Sequence, residues 1–231
     1  MKASDLEGAL PDHGSAREPE PDPFDGDLTD DEMFAKYVVD VFPTKIGKEI
    51  KSYYPDFKFE KHRKLKKLVR QSAFIYGPPG TGKTFTACAL VVLSRRGGWL
   101  YLKLGTRFYR VSDLLGQLRD LVTRQKEKDP LTGLSLYSQL VEDVKRCRYL
   151  ILDDFGIEKK TDFTNEILNL IIDSRYNHNR ATIITTNLDI KEFSQAKGYS
   201  RIMSRMMDMV DGRPIKLTEV YRQLRIKPKE L

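Results

Sequence analysis

Residues 77–84 read Gly-Pro-Pro-Gly-Thr-Gly-Lys-Thr, a complete phosphate-binding loop of the GxxxxGK[ST] type. The glycines allow backbone conformations that a Cβ would obstruct, so successive N–H groups can turn inward around phosphate oxygens. The lysine can reach the β and γ phosphates, and the final threonine can offer its hydroxyl to Mg²⁺. The candidate nucleotide-binding residues are therefore Gly77, Pro78, Pro79, Gly80, Thr81, Gly82, Lys83, Thr84 and Phe85.

The sequence around this loop has the order that such a loop requires. Residues 72–76 form a short apolar run that predicts a buried strand. Residues 85–95 place Ala87, Leu90 and Val91 at helical spacing. A helix that starts after the loop would point its partially positive N-terminus at the bound phosphates. The pattern of strand, loop and helix therefore favours a phosphate site over an ordinary Gly/Pro turn.

Strands and helices continue to alternate along the rest of the chain. Amphipathic or apolar spacing predicts helices at 111–122, 134–146, 163–176 and 200–209, and strands at 99–104, 149–152, 181–185 and 214–217. Alternation of this kind is typical of a parallel sheet with helices on both faces. The predicted fold class is therefore α/β, a doubly wound parallel five-stranded sheet of the P-loop nucleoside-triphosphatase type.

Polar residues follow two of the predicted strands. Asp153 and Asp154 end a continuous apolar run about seventy residues after the phosphate loop, and Asn187 follows the strand at 181–185. Ligands of open α/β sheets bind at the carboxyl ends of strands. We expect Asp153, with Thr84, to hold Mg²⁺ directly or through water, and Asp154 to orient or deprotonate the attacking water. Asn187 can hydrogen-bond that water or the γ-phosphate.

Charge divides the chain unevenly. The net charge is +7, but residues 1–32 hold eleven acids and two bases, a net of −9, and the remainder carries a net of +16. We predict an acidic, disordered head at 1–32, a short helical partner-binding or linker segment at 33–56, and the ATPase domain at 57–231. The basic body favours a polyanionic partner, most often nucleic acid.

No apolar run is long enough to span a bilayer, and the acidic N-terminus does not resemble a secretory signal. We therefore expect a cytoplasmic protein without a membrane partner.

The chain resembles AAA+ ATPases. The residues that carry the resemblance are the phosphate loop, YLILDDFG at 149–156, TIITTNL at 182–188 and the pair Arg201 and Arg205. Within that group the chain is most similar to the branch of DnaC/DnaI-type helicase loaders and IstB-type transposition ATPases, over roughly residues 57–227. About a dozen residues follow the last predicted strand, which is too few for a helical lid domain, and this branch typically lacks one.

The resemblance implies ATP and Mg²⁺ as cofactors, and subunits that assemble into a ring or spiral. In such assemblies a neighbouring subunit supplies an arginine finger, for which Arg205 is the first candidate and Arg201 the second. Most AAA+ proteins carry Asp-Glu at the acid pair, whereas this chain carries Asp153-Asp154. The shorter second side chain predicts slower hydrolysis.

A basic and aromatic stretch suggests where single-stranded DNA would bind. Arg107, Tyr109 and Arg110 follow the predicted second strand and Lys103 lies near its end, so together they offer cations for phosphates and a ring for bases. Residues 64–67 are an alternative phosphate-contacting stripe. The leading hypothesis is an ATPase that binds single-stranded DNA and loads a replicative helicase. The alternatives are an ATPase that serves a transposase, and a nucleotide-gated assembly switch with little turnover.

Overall fold

The computed structural model describes residues 38, 40–53, 72–93, 105–123, 128 and 133–218. Four predicted features lie outside these residues: the acidic head, the basic stripe at 64–67, Lys103 and the strand at 99–104. Of the helical segment predicted at 33–56, the structure describes residues 38 and 40–53, in which Val38, Asp40, Val41 and residues 44–53 are helical.

Besides the helical residues at 38–41, five strands and seven helices lie in the described part of the chain. In chain order they are α1 (Thr44–Tyr53), β1 (Ala73–Tyr76), α2 (Lys83–Leu93), β2 (Thr106–Arg110), α3 (Val111–Thr123), α4 (Leu136–Arg146), β3 (Tyr149–Asp153), α5 (Asp162–Asn177), β4 (Ala181–Thr186), α6 (Ile190–Gln195), α7 (Ser200–Met209) and β5 (Ile215–Lys216). Ser135, Thr161 and Asp189 are the N-caps of α4, α5 and α6, and each side chain accepts a hydrogen bond from the first turn. None of the helices in these described ranges is long and apolar enough to cross a membrane.

The strands form one parallel sheet in the order β2-β3-β4-β1-β5. This arrangement confirms the predicted doubly wound α/β fold. Every residue of β3 and β4 is buried, as expected for central parallel strands that are covered on both faces. The chain leaves β1 for the far edge of the sheet at β2 and returns through β3 to β4, which lies beside β1. Connections that run in opposite directions therefore start at the carboxyl ends of β1 and β4, and ligands bind at such points in open α/β sheets.

Apolar side chains fill both faces of the sheet. Helices α3 to α7 pack on one face, where Phe74, Leu150 and Ile184 point into a core that contains four clustered aromatic rings. The opposite face is covered by α2 and by residues from before β1: Val38, Phe42 and Ile50 are at most 4% exposed. The apolar residues of the segment at 38–50 therefore belong to the core of the fold.

One strand of the sheet lies where none was predicted, while the strand predicted at 99–104 lies outside the described residues. The structure places β2 at Thr106–Arg110, in the stretch that directly follows that predicted strand. Arg107 hid the strand pattern, because its charge suggested an exposed loop. In the fold Arg107 Nε and Nη2 donate to the two carboxylate oxygens of Asp143 on α4, at 2.6 and 2.8 Å. This ion pair lets a half-buried strand carry an arginine, while Phe108 and Tyr109 pack toward opposite faces of the sheet.

Gly77 lies at a close approach between two backbone segments. Its φ is +145°, and a Cβ would lie 2.1 Å from the carbonyl oxygen of Leu217, which follows β5.

We expect Gly77→Ala to lower the free energy of unfolding by about 3 kcal/mol, since the costs of overpacking and of backbone strain add. Urea denaturation measures this change. Gly133→Ala is the control: its φ is also positive, at +67°, but a Cβ there meets nothing within 4 Å, so the loss is expected to be only about 1 kcal/mol. Equal losses for the two variants would contradict the steric explanation.

Candidate nucleotide-binding site

Register brings the predicted site residues to one edge of the sheet. Leu152 pairs with Ile184 and Arg110 with Asp153, while Tyr76 pairs with Thr186. Asp153 therefore lies beside Thr185 of the neighbouring strand, and the phosphate loop begins next to the end of β4. The acid pair and the loop thus converge as the sequence suggested.

The phosphate loop connects β1 to α2, which begins at Lys83. Pro78, Pro79 and Gly80 are exposed, whereas Thr81 is buried and donates to the carbonyl of Pro78 at 2.9 Å. Gly80 and Gly82 have φ values of +77° and +88°, the left-handed region that glycine favours. The loop therefore has the backbone shape that a phosphate cradle needs.

Lys83 lies under the loop. Its Nζ donates to the carbonyl oxygens of Gly77 and Pro78 at 2.9 and 2.8 Å. Burial lowers the pKa of Lys83, while the negative charges of Asp154 and Asp153 act in the opposite direction. The ammonium group is thus held at the loop by two backbone carbonyl oxygens. Phe85, two residues further on, is half-buried and packs against the core on the α2 face.

Thr84 and Asp153 meet at the N-terminus of α2. Thr84 Oγ1 donates to Asp153 Oδ1 at 2.9 Å and lies 3.1 Å from Oδ2. Burial raises the pKa of Asp153, and hydrogen bonds from Thr185 and Thr84 oppose that rise. A hydroxyl and a carboxylate are oxygen ligands of the kind that Mg²⁺ prefers, so the residues present fit the ion that the loop motif implies.

Asp154 and Asn187 lie on turns at the same edge. Asp154 has a φ of +55°, which is uncommon for a residue other than glycine. The residue is half-exposed. Its backbone N–H donates to Thr185 Oγ1 at 3.0 Å. Asn187 directly follows β4 and is exposed. The charge of Asp154 acts on Lys83 at the loop, and Asn187 follows the strand that pairs with β1.

Arg201 and Arg205 occupy one face of α7 and bind the same acid within the chain. Arg201 Nη2 lies 2.5 Å from Asp173 Oδ2, and Arg205 Nε lies 3.2 Å from Asp173 Oδ1. Arg205 also stacks on Tyr176, with its guanidinium carbon 4.4 Å from the ring centroid. The side chain of Arg201 is 62% exposed and that of Arg205 is 32% exposed, so both remain accessible at the surface.

Three of the predicted DNA-binding residues lie on β2, and their side chains have different surroundings. Arg107 is paired with Asp143, Tyr109 is half-buried against the core, and Arg110 is exposed at the carboxyl end of β2. Arg110 is in register with Asp153, and its positive charge tends to lower the pKa of that acid. Among these three residues, Arg110 is thus nearest to the acid pair.

Two residues at these sites were not predicted from the sequence. Thr185 is buried and contacts both acids, and Asp173 holds the two arginines. A signal for Thr185 was present, because two threonines interrupt the apolar run of β4 at its carboxyl end. Nothing in the sequence marked Asp173, which is one of several acids on its helix.

Comparison with known proteins places the chain among ATP-binding proteins. The family described as IstB-like ATP binding protein matches residues 61–222. The replicative helicase loader DnaC of Escherichia coli strain K12 is 29% identical over 137 residues, which make up 58% of this chain and 50% of that protein. A putative ATP-binding protein of insertion sequence IS232 from Bacillus thuringiensis is 24% identical over 164 residues, 71% of this chain and 59% of that protein. The chain thus spans about half the length of the helicase loaders that it matches.

Solved structures show the same fold. The crystal structure of the DnaC helicase loader has a TM-score of 0.50 and 26% sequence identity, covering 70% of this chain and 90% of that one. Domain III of the replication initiation protein DnaA from Thermotoga maritima has a TM-score of 0.53 at 18% identity, covering 74% and 67%. The fold is therefore that of the AAA+ P-loop proteins.

Proposed function

The chain belongs to the family of IstB-like ATP-binding proteins, and from that premise we propose that it is a magnesium-dependent ATPase that binds single-stranded DNA and loads a replicative helicase. The observation that carries the ATPase proposal is the contact of Thr84 with Asp153 beside a complete phosphate loop. The likeness to the DnaC helicase loader supports the loading role.

Each site residue has a distinct task in this proposal. The loop backbone and Lys83 bind the phosphates, and Thr84 and Asp153 hold the metal ion. When bound, Mg²⁺ would neutralise charge on the phosphate oxygens. Asp154 takes the proton of the attacking water, and Asn187 orients that water by hydrogen bonding. Asp154 is half-exposed whereas Asp153 is buried, which supports a role for Asp154 toward a water molecule and for Asp153 toward the metal ion.

Asp154→Asn tests the general base. Nucleotide affinity is expected to stay within about threefold of wild type, and turnover to fall by about 10² to 10⁴-fold, because the amide cannot accept the proton. Asparagine is the right substitute because it tolerates the left-handed backbone. The measurements are phosphate release and equilibrium binding of ATP. Asp120→Asn, an exposed acid on α3, is the control and is expected to match wild type. Wild-type turnover by Asp154→Asn would remove Asp154 from this role.

We propose that subunits associate through the face of α7. Arg205, or failing that Arg201, would then reach the nucleotide of a neighbouring subunit and neutralise charge that develops on the transferred phosphoryl group. The exposed side chain of Arg201 and the partly exposed side chain of Arg205 support this role, since both lie on the same face of α7.

The charge of the chain supports DNA binding. The net of +16 outside residues 1–32 favours an electrostatic contact with phosphates that is strong at low salt and weak at high salt. Arg110 is exposed and available, Lys103 lies outside the described residues, and Arg107 would have to leave Asp143 to contact DNA. We therefore propose that Arg110 contacts DNA, together with Lys103. We also propose that the protein works in the cytoplasm.

A second candidate partner is a transposase. The insertion-sequence relatives and the family name favour it. Capture assays with the tagged full chain divide the two proposals, using a purified hexameric helicase in one arm and a purified transposase of an IstB-containing element in the other. ATP-dependent capture of the helicase alone supports loading, and capture of the transposase alone overturns it. Turnover below detection, with and without single-stranded DNA, would instead favour a nucleotide-gated assembly switch.

A further inference from the structure

Thr185 lies at the centre of the acid pair without being part of it. It is the second-to-last residue of β4, is 0% exposed, and lies opposite Ile75 of β1. On its other side it neighbours Asp153, because Leu152 pairs with Ile184 one residue earlier. No solvent reaches the hydroxyl, so its hydrogen bonds must be made within the protein.

The direction of those hydrogen bonds follows from the groups involved. Thr185 Oγ1 lies 2.6 Å from Asp153 Oδ1 and 3.0 Å from the backbone nitrogen of Asp154. The backbone N–H can only donate, so it occupies a lone pair of the hydroxyl. The single hydroxyl proton is therefore free to point at the carboxylate. The hydroxyl of Thr185 thus donates to the carboxylate of Asp153 and accepts from the backbone N–H of Asp154.

The same carboxylate oxygen faces two donors. Thr84 Oγ1 lies 2.9 Å from Asp153 Oδ1, the oxygen that Thr185 also contacts. Because Thr84 lies on α2 and Thr185 lies on β4, the two donors approach from different elements and restrict rotation of the carboxylate. The restriction leaves Asp153 turned toward Thr84, the residue that the phosphate-loop motif assigns to the metal ion.

Thr185 also holds the turn that carries Asp154. Its backbone carbonyl accepts from the N–H of Phe155 at 2.8 Å, in addition to the bond from Asp154 to its hydroxyl. A left-handed residue persists only where its surroundings hold it. Because a β-branched side chain has few χ1 rotamers, threonine fixes the hydroxyl more firmly than serine would.

A second threonine of β4 shows what a purely structural hydroxyl does in the same strand. Thr182 is also 0% exposed, and its Oγ1 donates to the carbonyl of Arg180 and accepts from Arg175 Nε. The guanidinium of Arg175 further donates to Val144 O and Cys147 O, which ties α5 to the end of α4. None of these contacts involves the acid pair. The two threonines therefore differ in what they hold and not in burial.

We propose that Thr185 is the positioning residue of the acid pair, whose hydroxyl turns the Asp153 carboxylate toward Thr84 and anchors the Asp154 turn, and thereby sets the affinity for Mg²⁺. This role rests on the proposed ATPase function. Residues that orient metal ligands commonly change metal affinity or activity by 10 to 100-fold when they are removed.

Thr185→Val and Thr185→Ala remove the hydroxyl, and Thr185→Ser keeps it. We expect both hydroxyl-free variants to need about tenfold more Mg²⁺ for half-maximal binding of fluorescent ATP. The serine variant is expected to stay within about threefold of wild type, and Thr182→Val, the matched control, should need the same Mg²⁺ as wild type. A further measurement needs neither metal nor nucleotide: hydrogen exchange of the Asp154 amide is expected to speed up by about fivefold in Thr185→Val.

Several outcomes would overturn the inference. Unchanged Mg²⁺ dependence in the hydroxyl-free variants, or an equal change in Thr182→Val, shows that the hydroxyl serves only the core. The same conclusion follows if both hydroxyl-free variants fail to fold while Thr182→Val folds. Failure of the proposed ATPase function is separate, because it is seen in the wild-type protein as absent Mg²⁺-dependent hydrolysis, whatever the Thr185 variants do.

Discussion

Lys83→Ala is expected to weaken the binding of magnesium-bound ATP by about 10² to 10⁴-fold. Hydrogen bonds from a charged group contribute about 1.5–3 kcal/mol each, and the ammonium group of Lys83 can make two of them to phosphate oxygens. In the fold this group is already directed at the loop, where it bonds the carbonyl oxygens of Gly77 and Pro78. Isothermal titration with ATP and Mg²⁺ measures the loss.

The control for this variant is Lys159→Ala. Lys159 is exposed on the loop between β3 and α5, so its removal changes the net charge equally but leaves the phosphate loop intact. Its affinity for ATP should match wild type. Because Lys83 also bonds the loop, thermal denaturation must show that Lys83→Ala is folded. Folded Lys83→Ala that binds ATP as wild type does would contradict a nucleotide site in this loop.

Arg205→Ala is expected to lower turnover by about 10³-fold or more, with nucleotide affinity almost unchanged. The reason is that the guanidinium would act on a neighbouring subunit's nucleotide only as charge develops during phosphoryl transfer, so it contributes little to binding. Within its own chain Arg205 shares Asp173 with Arg201, so the loss of one partner leaves the acid paired. Turnover measured over a range of protein concentrations tests the prediction.

Mixing variants tests whether the arginine acts in trans. Lys83→Ala has no working nucleotide site but retains Arg205, and Arg205→Ala has the site but not the arginine. If subunits mix randomly at equal amounts, about a quarter of the interfaces combine an intact site with an intact arginine. Activity of the mixture should therefore rise well above that of either variant alone.

Controls for the arginine use its neighbours. Arg213→Ala removes an exposed charge soon after α7 and should behave as wild type. Arg201→Ala shows whether the more exposed member of the pair carries the role. An Arg205→Ala variant that turns over ATP like wild type at every protein concentration, while Arg201→Ala does not, would transfer the assignment to Arg201. Wild-type turnover by both would end the trans-arginine proposal.

The local pattern of the chain was sufficient for most of the architecture. Helix α7 was predicted at its observed bounds, and α3 and β3 were predicted to within one residue. These elements have strong apolar periodicity or continuous apolar runs, which leave few alternatives. The strand β2 was missed because Arg107 and Arg110 made it read as a loop. Only the fold supplies Asp143, the partner that allows Arg107 to lie in a strand.

The candidate site divides in the same way. The phosphate loop, Asp153 and Asp154 follow from residue type and spacing, because phosphate cradles and metal ligands demand specific backbone freedom and specific oxygen atoms. The contacts of Asp173 with Arg201 and Arg205 join α5 to α7, and the paired residues are 28 and 32 positions apart in the chain. Spacing along a sequence carries no information about such a pairing.

The sequence by itself thus determined the class of fold, the loop that would receive a triphosphate and the acids that face it, since each depends on the chemistry of short segments. Only the tertiary structure decided which groups orient those acids and hold the arginines. Thr185 reaches Asp153 because two strands lie side by side in one register, and that register results from the packing of the whole sheet.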